Sequence, residues 1–327
     1  MNHISRKIMS DKLNRILVAA DCSNFEYVCI NSALKYWKDK YSEEYSFTLK
    51  PAEETDQDNL PNLLNSDTFR RVLSKNVQMK LEGLIWIVKN NHPSEVSMSD
   101  GMDFIFTRDD RLHNNFRKLK YPEYKAQRKL MKRQFDVFSA MEYIHDVIFK
   151  ELDIEKLGFK IIGVKDCESD DIIAVMMNRF KNYFCRILIS SDRDFLQLED
   201  VYQYDNFGNE IICGFKHGGQ FIEMTPKNYL LWKILKGDTA DNIKNVLPRC
   251  GDVTAYKLLQ DKDKLKKMLM ENKEAAKNYS LNKYLIDFNS IPQDVSDRIY
   301  EELKKILGGS ERVTEKPDFD IDSCMIM

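Results

Sequence analysis

Short apolar runs that end at an acidic residue recur along the chain. Arg15-Ile-Leu-Val-Ala-Ala20 runs into Asp21, and Met102-Asp-Phe-Ile-Phe-Thr107 runs into Arg108-Asp109-Asp110. Phe159-Lys-Ile-Ile-Gly-Val164 leads to Asp166 and Glu168, and Arg186-Ile-Leu-Ile-Ser-Ser191 meets Asp192. Their length and β-branched content predict strands. Segments of helical period lie between them at Thr68–Asn90, Lys125–Lys150 and Ser169–Asn182. Alternating strands and helices predict an α/β fold with a largely parallel central sheet flanked by helices. In such sheets ligands bind beyond the carboxyl ends of the strands, where these acids fall.

After about Thr225 the pattern changes to helix–turn–helix signals: Pro226–Lys236, Gly237-Asp238, Pro248-Arg-Cys-Gly251 and Val253–Asp261. Gly208-Asn209 reads as a tight hairpin turn between Val201–Phe207 and Glu210–Phe215. Residues 51–67 read as a polar, acidic surface loop, and the chain from Gly308 as a mobile end. The expected organisation is an α/β core over 1–225, a helical region over 226–307 and a flexible tail over 308–327.

Composition narrows the class. The chain has 327 residues, of which 43% are hydrophobic and 31% charged, enough apolar material for a substantial core. No apolar run approaches the roughly 20 residues of a membrane helix, and the basic N-terminus lacks a signal-peptide apolar core. Seven cysteines, with no CxxC pair, fit reduced thiols. The expectation is a soluble, cytoplasmic protein without a membrane partner, monomeric, in a host cell's cytoplasm if viral.

Charge changes the picture most. The net charge of −2 offers no hint of a nucleic-acid partner, but the signs are segregated. From Arg108 to Arg133 ten Lys/Arg stand against three Asp/Glu, a net of +7; from Asp166 to Asp200 eight acids stand against four bases, a net of −4.

The acids fall in clusters. Glu168-Ser-Asp170-Asp171 precedes an apolar run, so it opens a helix, where acids cap and suit the dipole. Capping accounts for any one of them, not for three carboxylates in four positions. Asp192-Arg-Asp194 follows a strand and Asp238-Thr-Ala-Asp241 follows an apolar helix; alone, the first is a solvated turn and the second a helix cap. Together with Asp21 and Asp109, these acids converge on one sheet edge. Such a cluster calls for hard divalent cations, Mg²⁺ or Mn²⁺, two of them about 3.5–4 Å apart on a phosphate. Between Phe116 and Lys129 cations alternate with aromatics, which suits phosphates and unpaired bases; an ordinary solvated helix face is the plain alternative.

These residues, in this order, resemble the 5′ nuclease (flap endonuclease) superfamily over about residues 15–305: Asp21; Asp109 with Phe116-Arg117 and Tyr124-Lys125-Ala-Gln-Arg128; Glu168-Ser-Asp-Asp171; Ser191-Asp-Arg-Asp194; Gly237-Asp-Thr-Ala-Asp-Asn242. Lys233–Ile243 and Leu285–Pro292 look most like the T-even phage ribonuclease H branch. The resemblance implies a PIN-like core with a helical arch over about 112–150 and a helix–three-turn–helix over about 230–259. It implies a Mg²⁺-dependent enzyme, with Mn²⁺ substituting, that cuts 5′ ends and 5′ flaps of DNA and RNA/DNA duplexes and removes RNA primers in replication. Asp21, Asp109, Glu168, Asp170 and Asp192 would hold one ion, with Asp171 in or near that set and Asp194, Asp238 and Asp241 around the second. Arg117 and Lys125 would stabilise charge on the scissile phosphate, and Tyr124 and Arg128 would contact substrate. Phe116, Lys118, Lys120, Lys129, Lys132 and Gly251 would bind nucleic acid.

Two departures stand out. Asn245-Val-Leu-Pro-Arg-Cys-Gly251 keeps one glycine of the family's potassium-binding loop, and Phe106-Thr-Arg-Asp109-Asp110 leaves Asp110 as a competitor of Asp109. Leu112 and His113 stand where strong cations would begin the arch, so the clamp starts at Arg117. Cys324-Met-Ile-Met327 fits a prenylation pattern, but its acidic flank does not suit a lipid anchor. Docking on a single-strand-binding protein or sliding clamp, or no role at all, suits that tail better. Two other readings remain open: a haloacid-dehalogenase-type phosphatase built on Asp192-Arg-Asp194, and a structure-specific DNA-binding protein with a decayed site.

Overall fold

The computed structural model describes residues 13–110, 115–130 and 132–308. Five parallel strands form the central sheet in the order β3-β2-β1-β4-β5. They are β1 (Leu13–Asp21), β2 (Met102–Arg108), β3 (Phe159–Gly163), β4 (Tyr183–Ile189) and β5 (Tyr202–Tyr204). The chain leaves β1 toward one edge and returns to β4 on its other side. The crevice where strand order reverses therefore opens at the carboxyl ends of β1 and β4.

Each strand buries both faces, as a covered parallel sheet must. On β1, Ile16, Val18 and Ala20 pack with α1 (Cys22–Lys40) and α2 (Asp67–Asn91), around Trp37, Phe69 and Leu73. The alternate positions Leu17 and Ala19 face α5 (Ser169–Arg179). Between β2 and β3 lie α3 (Phe116–Lys120) and α4 (Val137–Tyr143), the latter continued by a π-helical turn at Ile144–Ile148. The single helix expected over Lys125–Lys150 is broken. Lys125 has φ 56°, Ala126–Leu130 is one 3₁₀ turn, and Asp136 caps a new helix by accepting from the N–H of Phe138 and Ser139.

The hairpin lies elsewhere than at Gly208-Asn209. There, Asp205 Oδ1 accepts from the N–H of Phe207 and Asn209 to close a turn, but only the single bridge Tyr204–Glu210 follows it. The two-stranded hairpin is β6 (Gly214–His217) with β7 (Gln220–Glu223), turned by Gly218-Gly219 at φ 57° and 81°. Tyr202–Tyr204 instead extends the main sheet, paired with β4.

The C-terminal region holds α6 (Pro226–Lys236), α7 (Asp252–Gln260), α8 (Lys262–Glu271) and α9 (Lys273–Ile286) around their own core of Trp232, Leu235, Val246 and Leu258. The last helix, α10 (Gln293–Leu307), does not stay with them. Its Val295, Ile299 and Leu303 pack on Ile172, Val175 and Met176 of α5. The helical core also takes in Tyr124, Leu196 and Phe215 from the first 225 residues. The tail expected over 308–327 lies, beyond Gly308, outside the described residues. Among the described residues no helix is long and apolar enough to cross a membrane.

Candidate active site

The strand ends deliver acids as the pattern requires. Asp21 closes β1 and caps α1, its Oδ1 accepting from Asn24 N–H at 3.1 Å. Asp109 follows β2 and accepts from Ser169 N–H at 2.7 Å, which ties it to the start of α5. Asp192 follows β4 and accepts from Asp194 N–H at 2.8 Å. Glu168 caps α5 in a reciprocal box with Asp171, and Asp170 lies in the first turn.

The acids sense one another. Burial, then the charge of Asp109 and of Asp192, push the Asp21 carboxyl up to about 7 against N–H bonds from Asn24 and Ser23. Burial raises Asp170 well above the usual range; Lys125 opposes the rise, and Asp192, Asp21 and Glu168 add to it. Asp21 thus lies within electrostatic reach of Asp109, Asp170 and Asp192. Asp110, the competitor, turns its Oδ2 to the N–H of Asp166 at 2.7 Å, while Asp109 is the one whose charge reaches Asp21.

Glu168 sits between this cluster and the basic segment. Lys125 Nζ lies 2.8 Å from Oε1, and Tyr124 OH and Arg117 Nη1 lie 3.2 and 3.3 Å from Oε2. Burial would raise this carboxyl, but Lys125 and Arg117 outweigh it and hold it below the usual range. Lys125 is itself pulled down by burial and, on balance, held well above its ordinary value by Tyr124, Glu168, Asp170 and Asp241.

Two residues stand differently from expectation. Arg117, expected at a phosphate, is only 3% exposed. Its Nε donates to Leu285 C=O at 2.8 Å and its Nη1 lies 2.7 Å from Asp171 Oδ1. Asp171, expected in or near the metal set, is fully buried in that ion pair beneath Glu168. Both sit behind the acidic edge because the apolar face of α5 turns Asp171 inward and draws its counter-charge in with it.

A second cluster lies at the helical end. Asp194, Asp238 and Asp241 each offer a carboxylate oxygen, all within 4.8 Å of one another. Here cations are already present. Lys233 of α6 contacts Asp194 Oδ1 and lies 3.1 Å from Asp238 Oδ2; Arg128 Nη2 lies 2.6 Å from Asp241 Oδ1. Burial works to raise Asp238, and Lys233 with the N–H of Ala240 and Asp241 reverses it, leaving the carboxyl below the usual range. The sequence reading missed Lys233; its signal was a lysine on the buried stripe of α6 beside Tyr229 and Trp232.

The nucleic-acid candidates spread outward from there. Phe116 is buried edge-on to Tyr284 at 5.8 Å, Lys118 is half-buried, and Lys120 is exposed with Nζ 5.7 Å from the Tyr284 ring. Tyr124 is buried against Glu168, while Arg128 and Lys132 are exposed. Gly251 caps α7. Leu112, His113 and the Lys129 side chain lie outside the described residues.

The family model of the 5'-3' exonuclease, N-terminal resolvase-like domain, matches residues 83–216. A 5'-3' exonuclease of Mycoplasmopsis pulmonis is 27% identical over 203 residues, 61% of this chain and 62% of that protein. DNA polymerase I of Caldicellulosiruptor bescii is 29% identical over 194 residues, 54% of this chain and 22% of the polymerase. The chain thus spans less than two thirds of the length of either relative. Among solved structures, a T5 5'-exonuclease with zinc bound superposes with a TM-score of 0.53 at 16% identity, covering 89% of this chain and 99% of that one. A T5 flap endonuclease complex with DNA and metal ions gives a TM-score of 0.53 at 15% identity with the same coverage, a likeness of fold. The order of the acids along the strands agrees with these likenesses: in sequence the chain is similar to 5'-3' exonucleases, and in fold to the T5 5'-exonuclease.

Proposed function

We propose that the chain is a divalent-metal-dependent 5′ nuclease that hydrolyses phosphodiesters at 5′ ends and flaps of DNA and RNA/DNA duplexes, including RNA primers. The observation that carries this reading is the Asp21–Asp109–Asp170–Asp192 group at the strand ends, where burial and the neighbouring carboxylates push Asp21 and Asp170 toward protonation. The donor set fits hard cations, since every candidate ligand atom is a carboxylate oxygen. Asp21, Asp109, Glu168, Asp170 and Asp192 would hold one Mg²⁺, and Asp194, Asp238 and Asp241 the second. When bound, such ions supply Lewis acidity to the phosphate and lower the pKa of water. The zinc-bound T5 5'-exonuclease and the T5 flap endonuclease complex with DNA and metal ions support the same chemistry for this chain.

The chain's own residues do the rest. Lys125 would set a positive charge between the acids and the arch, countering charge that develops on the phosphate. Arg117 and Tyr124 act behind it by fixing Glu168. Lys120, Arg128 and Lys132 present exposed cations to the nucleic-acid backbone. Docking of the chain on a single-strand-binding protein or sliding clamp belongs to the same proposal. The likeness to the 5'-3' exonuclease domain favours this reading over the phosphatase alternative.

The test is cleavage of a 5′-end-labelled flap and an RNA–DNA duplex with Mg²⁺. The wild type cuts both, and Asp192→Asn lowers the rate at least about a thousandfold while still retaining the flap in a gel shift. Binding without cleavage by the wild type would leave the decayed-site reading in its place.

A further inference from the structure

We infer that Lys233 is the resident counter-cation of the Asp194–Asp238–Asp241 cluster, and that a divalent ion enters there only in competition with its ammonium. The inference rests on the nuclease reading and deepens it, by making the two ion sites unequal before substrate arrives.

Lys233 lies where a lysine is costly. It occupies the buried stripe of α6 with Trp232 and Leu235 at its sides, and the residue is 6% exposed. A buried ammonium is tolerated only when it is paired and hydrogen-bonded. Its partners are Asp194 and Asp238, so the chain spends one lysine on two of the three carboxylates that would hold the second ion. Their oxygens, with Asp241's, fit around one small cation, and Lys233 already approaches two of them.

The backbone that carries the lysine is held in place at both ends. Thr225 caps the start of α6, and Gly237 at φ 69° ends it under the backbone of Ile243 and Lys244, with room for no side chain. Asn282 Nδ2 donates to Ile234 C=O at 2.9 Å and to Lys244 C=O at 2.7 Å, which ties the helix to the turn carrying Asp238 and Asp241. An arriving dication must therefore share the carboxylates with a positive charge already paired to two of them, a repulsion of large effect at low effective dielectric. At the strand end the cation stands to one side: Lys125 pairs with Glu168 at 2.8 Å, while among the described residues no Lys or Arg forms an ion pair with Asp21, Asp109, Asp170 or Asp192. Lys233 is thus a positioning residue. It keeps Asp194 and Asp238 together when no ion is bound and sets the order of filling, strand end first.

Calorimetric titration of the full metal-free chain with Mn²⁺ tests this without any turnover. The wild type should show a tight and a weak class of site. Lys233→Met should tighten the weak class by about tenfold and leave the tight class unchanged; Lys233→Arg, which keeps the charge, should leave both as in the wild type. If Lys233→Met does not fold, Lys233→Gln keeps hydrogen bonds to the carboxylates without the charge and carries the same expectation. A weak class that is unchanged, weakened or lost in the neutral variant overturns the inference, as does equal tightening by Arg. Absence of both classes from the wild type removes the nuclease reading as well, which separates that failure from failure of the role of Lys233.

Discussion

The two ends of the acidic edge hold similar sets of carboxylates in opposite electrostatic states. At the strand ends, Asp21, Asp109, Asp170 and Asp192 repel one another, and burial compounds the cost. At the helical end, Lys233 and Arg128 already meet Asp194, Asp238 and Asp241, and Asp238 stays below the usual carboxylate range. Glu168 stands between them and is held low by Lys125 and Arg117. One set of acids is left in deficit and the other is balanced. A count of acids does not distinguish a site that demands a metal from one that merely admits it; the placement of the cations does.

Removing acids should therefore have opposite effects at the two ends. The largest effect is expected from Asp194→Asn combined with Asp238→Asn, which leaves the Lys233 ammonium buried without a counter-charge. Breaking a buried pair this way costs about 3–5 kcal/mol, so melting in EDTA followed by circular dichroism should drop by several degrees. An unchanged melting temperature would make the two ends alike.

At the strand end the sign reverses. Asp170→Asn removes a carboxylate that burial disfavours, so the metal-free protein should gain on the order of 1 kcal/mol near pH 8. The same acids impose a pH dependence. A carboxyl raised in the folded state costs nothing while protonated in both states, below about pH 4, and its cost grows as pH rises toward the folded value, about 7 for Asp21. Metal-free melting should fall over that window, and the fall should be shallower in Asp21→Asn or Asp170→Asn. A slope identical to the wild type in both variants would remove the electrostatic contrast.

The smallest effect belongs to Arg128→Ala. That side chain is 56% exposed, so its pair with Asp241 is screened. The stability change should stay below about 1 kcal/mol, and a larger loss would mean the helical end depends on its rim rather than on Lys233.

Much of this was legible in the sequence, for a physical reason. Apolar runs such as Arg15–Ala20 and Arg186–Ser191 suit a parallel sheet covered on both faces, and the acids after them lie at its carboxyl edge. The helices at Thr68–Asn90 and Pro226–Lys236 carry strong apolar periods with caps at Ser66 and Thr225. What did not show were features decided by partners distant in sequence. Tyr202–Tyr204 is too short to be recognised without β4 beside it, and Gly218-Gly219 competed with a more familiar Gly-Asn turn. Arg117 looked like one more cation of the basic segment until Asp171 and Leu285 were seen to enclose it. Lys233 was visible as a charge on an apolar stripe, but its partners, Asp194 above all, come from another part of the fold.

The return of α10 to α5 has a consequence for synthesis. Ile172, Val175 and Met176 wait for Val295, Ile299 and Leu303, which follow in the chain by more than a hundred residues. At about 5–20 residues per second, that apolar face stands uncovered for on the order of ten seconds after it leaves the ribosome. Once β4 and β5 have followed, the sheet is complete but open on one side, an interval in which exposed apolar surface favours self-association. A chain truncated before Gln293 would never leave that state.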